Sequence, residues 1–330
     1  MMRIGWCNQT VLLAFVLFSG LNAMATGFQA KIKAGRLDAP IRYDYRYDQD
    51  IQRVVRDRLQ YQLSVSGELQ LFKTQFVDSI ALGALLSTGS GYTSPWNTAE
   101  NFNLSQHEPQ ALYLRQVFFQ MDVLRWRLQA GVIPPVKGKV SETSLDKDGW
   151  IRGARLVMPV SSEGKLELVY GVIDRLEQPN AFASWGAPNY AEVEWTQKLS
   201  KNVRGELGFV EFEGDLIPRG ELRVTATHRW GRTEFAGEIL KNLEQQVWAH
   251  DWSIGHRLGG LEVSNEYAYV PIELGLLGTL SNDYFTAGHI WVLALKGPLF
   301  DDSGFYWFAR NYLGEERVNY KLGVGARYRY

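Results

Sequence analysis

The last fourteen residues, Arg317 to Tyr330, alternate between apolar and polar side chains without a break. Because successive side chains of a strand point to opposite faces, this segment predicts a strand with one apolar and one basic face. It is longer than a typical soluble strand of about 5–6 residues. It suits a tilted strand that crosses a bilayer, which needs roughly 9–11 residues to span the hydrocarbon.

The aromatic end of this strand separates two interpretations. As an edge strand of a secreted β-sandwich, the segment would expose Tyr328 and Tyr330 to water. As a membrane strand, it resembles the C-terminal strand of bacterial outer-membrane β-barrels. That resemblance implies that Tyr328 and Tyr330 form the signal read by the outer-membrane barrel assembly machinery.

The N-terminus has the pattern of a secretory signal. Arg3 precedes an apolar run from Val11 to Leu21, and Ala23-Met24-Ala25 matches an A-x-A cleavage site. We therefore expect residues 1–25 to be a cleaved signal peptide and residues 26–330 to form one β-barrel domain. The apolar run is shorter than the about 20 residues that a membrane-spanning helix requires.

The only cysteine, Cys7, lies within this signal, so the mature chain has no thiol for disulfides, metal ligation or catalysis. Hydrophobic residues make up 45% of the chain and aromatic residues 13%, including 11 Trp and 16 Tyr. The mean hydropathy of −0.21 is that of a soluble protein. An alternating barrel gives the same average, because half of each strand faces water and half faces lipid.

Alternation recurs along the chain and predicts an all-β, antiparallel, up-and-down barrel of about sixteen strands, with fourteen or eighteen as alternatives. Between Ala111 and Met121 no consistent alternation assigns the faces. A bilayer cannot satisfy open strand edges, so the first and last strands should pair. The predicted strands lie at 28–35, 58–66, 80–87, 111–121, 124–133, 150–158, 165–173, 190–197, 203–212, 221–230, 232–240, 247–257, 261–270, 284–296, 304–312 and 317–330.

A barrel of this size encloses a water-filled channel, and the polar positions of the strands should line it. A continuous basic wall without carboxylates is expected from the last strand and the first two, with Asp44, Asp48 and Asp50 in a turn. A mainly acidic wall is expected opposite, although the charges could instead simply pair and keep the lumen wet. The candidate pore-lining residues are Lys31, Lys33, Arg58, Arg125, Arg127, Arg155, Glu192, Glu194, Arg223, Glu262, Arg317, Lys321 and Arg327.

Four stretches taken in order resemble the bacterial putative porin family, which is similar in style to phosphate-selective porins. They are Arg58–Leu63, Ala81–Gly89, Leu128–Pro134 and Asp146–Leu156. The chain departs from the family at Val132, where the family has lysine. The resemblance implies a channel for passive diffusion of small hydrophilic solutes or ions in the outer membrane, and it names no solute. We expect outer-membrane lipid, the assembly machinery and such solutes as partners, a homotrimer as a compatible assembly, and no nucleic acid.

The loop from Pro134 to Gly149 is the third on the expected external side. By analogy with general diffusion porins, it should fold into the lumen. Its charged residues are the candidates for the narrowest point: Lys137, Lys139, Glu142, Asp146 and Asp148. Asp146 to Gly149 also has the start of a calcium loop but lacks the later ligands, so we expect a solvated loop and no metal.

Two other functions remain open from the sequence: an outer-membrane hydrolase, and a structural or adhesive barrel without transport. A hydrolase needs a nucleophile, a base and an acid on one surface. The five histidines include His250, whose neighbour Asp251 should point to the opposite strand face. No hydrolase or metalloprotease motif is present. We therefore expect no catalytic residues and no cofactor.

Overall fold

The computed structural model describes residues 31–72, 77–103, 110–135, 145–146, 148–177, 179–275, 277, 280, 288–300, 303–315 and 317–329. The predicted signal peptide lies outside the described residues and stays a prediction. No helix in the described part of the chain is long and apolar enough to span a membrane.

The described residues form strand segments joined into one antiparallel sheet, with a short 3-10 turn at Ile272–Leu274. The strands are β1 (Lys31–Asp48), β2 (Arg53–Tyr61), β3 (Ser64–Phe72), β4 (Ser79–Thr88), β5 (Asn97–Asn101), β6 (Leu112–Val123), β7 (Trp126–Ile133), β8 (Ile151–Pro159), β9 (Gly164–Val172), β10 (Tyr190–Lys198), β11 (Val203–Phe212), β12 (Asp215–His228), β13 (Gly231–Asn242), β14 (Val247–Leu258), β15 (Leu261–Val270), β16 (Gly288–Pro298), β17 (Phe305–Gly314) and β18 (Arg317–Arg329).

These segments make a closed barrel of sixteen strands, as predicted. β2 and β3 follow one another along β1 and act as one barrel strand, while β5 is a short strand paired with β2 alone. Closure comes from β1 and β18, which pair from Arg36 with Arg329 to Asp48 with Arg317. Closure leaves no open edge to be desolvated in lipid.

The two ends of the barrel differ. At the end where β18 finishes, which we call the turn end, most connections are short, such as Leu124-Arg125 between β6 and β7. Both turn residues have positive φ, at 49° and 76°, as a two-residue type I′ hairpin requires. At the opposite end, which we call the loop end, lie the long connections 89–111, 134–150, 173–189 and 271–287.

The outer face of the barrel is apolar. Leu82, Phe119, Val193, Leu207 and Phe209 point outward and are exposed. Exposed aromatic side chains flank this surface at both ends, as at bilayer interfaces. The turn end carries Trp126, Trp230, Phe305 and Tyr328, and the loop end carries Trp248 and Trp291. An exposed apolar surface of this kind marks a contact with a membrane or with another protein.

Three local expectations are wrong. Asp44 and Asp48 lie inside β1, which continues to Asp48 instead of turning after Gly35. The hairpin after β6 turns at Leu124-Arg125, two residues later than the expected Asp122-Val123, so Arg125 is a turn residue. β12 begins at Asp215 and not at Glu221, because Pro218 faces outward within the strand.

Candidate functional site: a charged lumen with an apolar cap

The inner face of the barrel carries most of the candidate pore-lining residues. Strand register places the following on that face: Lys31, Arg58, Arg127, Arg155, Glu192, Glu194, Arg223, Glu262, Arg317, Lys321 and Arg327. Arg125 is not among them, because it lies in the turn between β6 and β7. The side chain of Lys33 is not among the described ones.

One side of the lumen holds a basic cluster, which we define as Arg42, Arg46, Arg56, Arg58, Arg310, Arg317 and Lys321 together with Asp44 and Asp48. Asp44 is fully buried at its centre. Its carboxylate lies 3.1 Å from the Arg58 guanidinium and 3.7 Å from that of Arg56, and Lys321 is its register partner on β18. A single carboxylate is therefore shared among several cations.

Aspartates interrupt the basic wall that the sequence predicted to be free of carboxylates. Asp38 binds Arg327 at 2.8 Å and also contacts Arg36. Asp48 lies 3.6 Å from Arg317. The expectation failed because β1 is longer than predicted, so its aspartates face inward beside β18. The wall remains basic in sum, since cations outnumber carboxylates within the cluster.

A second side of the lumen holds an acidic cluster, which we define as Glu192, Glu194, Glu206, Glu221, Glu238 and Asp251 with Arg219 and Arg223. Strand pairing places Glu206, Glu221, Glu238 and Asp251 directly beside one another in one row. Like charges in such positions repel. Repulsion of this kind needs countercharges within the lumen.

Arg219 supplies much of that countercharge. Its guanidinium lies 2.7 Å from Glu194, 3.3 Å from Glu206, 3.4 Å from Glu238 and 3.7 Å from Glu192. Arg223 contacts Glu221 and lies 3.9 Å from Glu206. Carboxylates outnumber cations here, so this cluster is the inverse of the basic one.

The two clusters lie on different sides of the barrel. The basic cluster belongs to β17, β18, β1 and β2, and the acidic cluster belongs to β10–β14. β4 and β6–β9 separate them on one side, and β15 and β16 on the other. Opposed charges on low-dielectric walls focus a field across the lumen.

The loop end of the acidic side is covered by apolar side chains, which we call the apolar cap. Its strand members are Tyr190, Phe212, Ile217, Leu240, Ala249 and Val270, and its loop members include Tyr92, Leu145, Trp150, Leu274, Leu277 and Leu280. Tyr190, Ile217, Leu240 and Ala249 each stand one inward position closer to the loop end than Glu192, Arg219, Glu238 and Asp251. Among the described residues, no cap member comes from β1, β2, β17 or β18.

The loops that form the cap enter the mouth of the barrel from different sides. Asp146 N–H donates to the Leu280 carbonyl at 3.1 Å, which joins the 134–150 loop to the 271–287 loop. Tyr92 packs on Trp150 with ring centroids 4.7 Å apart. Burial raises the pKa of the Tyr92 phenol well above its usual value, and the Asp146 carboxylate adds to the increase. The phenol therefore stays neutral within the cap.

Two of the five constriction candidates are described. Asp148 is buried and Asp146 is half-buried, and the Asp148 backbone N–H donates to the Asp146 carboxylate at 2.7 Å. Both belong to the part of the loop that lies against the inner face. Lys137, Lys139 and Glu142 lie outside the described residues, so their place at the narrowest point stays a prediction.

No catalytic arrangement appears in the described residues. Asp251 faces the lumen, whereas His250 faces outward among Trp252, Tyr267 and Tyr269. The expected opposite facing of this pair is thus confirmed. The described part of the chain contains no group of three or more His, Cys, Asp or Glu residues placed to hold a metal ion.

Sequence reasoning missed Arg219 and Arg115. Counting back by two from Glu221 would have placed Arg219 inside, but Pro218 and Gly220 hid the strand. Arg115 lies at a β-bulge in β6, where the register with β4 shifts between Leu114 and Gln116. A bulge re-aims a side chain, which explains why the alternation of this segment assigned no faces.

Comparison with solved structures finds proteins with a similar fold. An Acinetobacter baumannii protein, OccAB4, is similar with a TM-score of 0.59 and 12% identity over 92% of this chain and 99% of that chain. A triple mutant of Rhodopseudomonas blastica porin gives 0.56 and 10% over 89% and 100%. A variant of OccD1 (OprD) gives 0.54 and 11% over 93% and 98%.

No protein-family model matches the sequence, and no curated protein matches it either. The similarity to the solved structures nevertheless extends over almost the whole length of each chain. This similarity agrees with the closed sixteen-stranded sheet, the apolar exterior and the charged interior described above. This chain therefore has the β-barrel fold of the porins.

Proposed function

We propose that this protein is a porin of the bacterial outer membrane, forming a water-filled channel for passive diffusion of small hydrophilic solutes or ions. The observation that carries the proposal is the division of faces: in the described strands apolar side chains predominate outward, and polar or charged ones predominate inward except in the apolar cap. Lipid is the solvent that suits the outer face, and water suits the inner one.

The outer surface supports a membrane location. Its exposed aliphatic side chains lie between aromatic ones at both ends of the barrel, an arrangement that anchors barrels at the two bilayer interfaces. Tyr328 is exposed on the outer face of β18, where an assembly factor can read it. We extend the proposal to recognition by the barrel assembly machinery, secretion through the signal in residues 1–25, and a homotrimer.

The inner surface supports conduction of charged solutes. Charged side chains near the turn end remain open to water, such as Arg232 and Arg257, whose side chains are 57% and 63% exposed. A recess lined by Lys198, Arg204, Arg223, Arg232 and Glu234 opens inside the barrel near that end. Among the described residues the apolar cap covers the acidic side at the loop end and has no member from β1, β2, β17 or β18, so the route that it leaves open there follows the basic cluster. We propose that this route favours anions.

Reconstitution in planar bilayers tests the proposal. Purified, heat-modifiable barrel should produce stable, stepwise single-channel conductance in KCl, and liposomes containing it should swell in small neutral sugars. The matched control is the same preparation after boiling, which unfolds the barrel. Folded barrel that inserts stably without conductance or swelling would contradict a porin and favour a structural or adhesive barrel.

A further inference from the structure

Arg115 links the barrel wall to two of the loops that carry the apolar cap. It is fully buried on β6, and its guanidinium donates to backbone carbonyls of two different loops. It donates to Thr88 at the end of β4 at 3.1 Å, and in the first loop to Gly89 at 2.8 Å, Tyr92 at 3.4 Å and Ser94 at 3.1 Å. In the second loop it donates to Asp148 at 3.1 Å.

The chemistry of arginine suits this position. A guanidinium offers five N–H donors in a rigid planar fork and stays charged at any working pH. Neighbouring Gln116 adds a hydrogen bond to the Gly149 carbonyl at 2.6 Å. Both side chains point inward because the bulge at Arg115 places an extra residue in the strand. The wall thus holds the two loops by their backbones, independently of the loop side chains.

What these two loops carry makes the contact functional. Tyr92 and Trp150, which flank the Arg115 contacts, are cap members that cover the acidic side. The first loop also places Trp96 on the Arg42 guanidinium of the basic cluster, 3.9 Å from the ring centroid. Among the described residues, apolar side chains therefore cover the acidic part of the mouth, and the Trp96 ring covers Arg42 in the basic part.

We propose that Arg115 is a positioning residue that sets the ion selectivity of the channel by holding the cap over the acidic cluster. This inference rests on the proposed function. With Arg115 in place, ions entering at the loop end meet the basic cluster. Without it, the loops lift, the mouth widens, and Glu192, Glu194 and Glu238 become accessible from the loop end.

Arg152 provides a comparison from the outward face of the same wall. It is also a buried arginine near the loop end, and it donates to the Asn180 and Ala183 carbonyls at 2.8 and 3.1 Å. It also lies 2.8 Å from Asp174. Arg152 shares the outward face with Val132 and Val172. The loop it holds contacts two cap residues, because the Tyr92 N–H donates to the Leu176 carbonyl at 2.7 Å and the Trp150 indole N–H donates to the Asp174 carbonyl at 3.1 Å. Arg152→Gln removes the same charge and the same kind of contact.

The experiment compares single-channel conductance and reversal potential in a KCl gradient for three variants. Arg115→Gln should raise conductance and shift the reversal potential toward cations, while Arg152→Gln, which leaves the inward contacts of Arg115 in place, should change both by less. Leu280→Gln, on the loop side of the cap, removes no charge and should shift both quantities in the same direction as Arg115→Gln. Heat-modifiable migration on gels confirms that each barrel is folded.

The outcomes separate the two proposals. A wild-type barrel that does not conduct would overturn the porin function itself. A conducting wild type with an Arg115→Gln channel of unchanged conductance and selectivity would overturn the role of Arg115. A selectivity shift in Arg115→Gln that Leu280→Gln does not share would also contradict it, because the shift would then reflect the lost charge and not an opened cap. If Arg115→Gln does not fold, Leu280→Gln is the test. A Leu280→Gln channel with wild-type conductance and reversal potential would overturn the proposal, because the cap would then control neither quantity.

Discussion

Asp44 and Arg219 occupy inverse environments on two sides of the same lumen. Asp44 is a carboxylate surrounded by cations, with Arg56 and Arg58 in direct contact. Arg219 is a cation surrounded by Glu192, Glu194, Glu206 and Glu238. Each minority charge compensates a locally unbalanced wall. Each wall therefore keeps a net charge of one sign, although its side chains form local ion pairs.

The two sites differ in their access to water. In the basic cluster the side chains of Arg56 and Arg317 are 32% and 37% exposed, whereas Arg42, Arg46 and Lys321 are buried. The four glutamates around Arg219 have side chains no more than 6% exposed. Mobile anions from solution can therefore reach Arg56 and Arg317 of the basic cluster, whereas the acidic cluster depends on Arg219 and Arg223.

The largest expected effect tests the difference between the Asp44 and Arg219 sites. Arg219→Gln should destabilise the barrel by about 3–5 kcal/mol, the usual cost of removing one partner from a buried charge network. Asp44→Asn should cost less, because the partly exposed Arg56 and Arg317 can bind counterions from solution. The free energy of unfolding from urea titration in lipid, followed by gel migration, measures both. A loss from Asp44→Asn equal to or larger than that from Arg219→Gln would show that the difference in access has no energetic consequence.

A second, smaller effect tests the facing on which both clusters rest. Leu128 lies on the outer face of β7, and its neighbour Arg127 lies on the inner face, 2.7 Å from Asp122. Leu128→Arg should cost roughly 2–4 kcal/mol if the residue sits near the bilayer midplane. Arg127→Leu should fold normally and change conductance, because a partly exposed ion pair contributes about 0–1 kcal/mol. Equal destabilisation by the two substitutions would mean that the faces of β7 are misassigned.

Much of the barrel was predictable because a period of two is visible wherever one face meets lipid. The strands near 203–212, 247–257 and 261–270 were predicted within a residue of β11, β14 and β15. The length of β1 was not predicted, because Asp and Pro are common turn residues and the strand contains Asp38, Pro40, Asp44 and Asp48. In the barrel these aspartates face inward, where cations of β18 and β2 neutralise them.

The site was less predictable than the fold. The sign of each wall followed from the alternation, so the acidic side and most of the basic side were anticipated. The cap was not, because it joins Tyr92, Trp150 and Leu280 from loops that are far apart in the sequence. Nothing in local periodicity reports that loops fold inward. Arg115 was hidden for a related reason, since its bulge interrupts the only pattern that assigns faces.

The smallest expected effect concerns selectivity, and it compares the uncovered wall with the covered one. Replacing Arg317, Lys321 and Arg327 together with Gln should shift the reversal potential toward cations. The matched triple variant replaces Glu192, Glu194 and Glu238 with Gln. It should shift the reversal potential in the opposite direction, toward anions, and by a smaller amount, because the cap separates these residues from the loop end. Both shifts should shrink as the Debye length falls from about 10 Å at 0.1 M to about 3 Å at 1 M salt.

The most direct test of a channel that runs along the basic cluster is the reversal potential of the wild-type protein in a KCl gradient, recorded in a planar bilayer. We predict anion selectivity that is lost in the triple variant of Arg317, Lys321 and Arg327. A cation-selective wild type, or a selectivity that the triple variant leaves unchanged, would contradict the account.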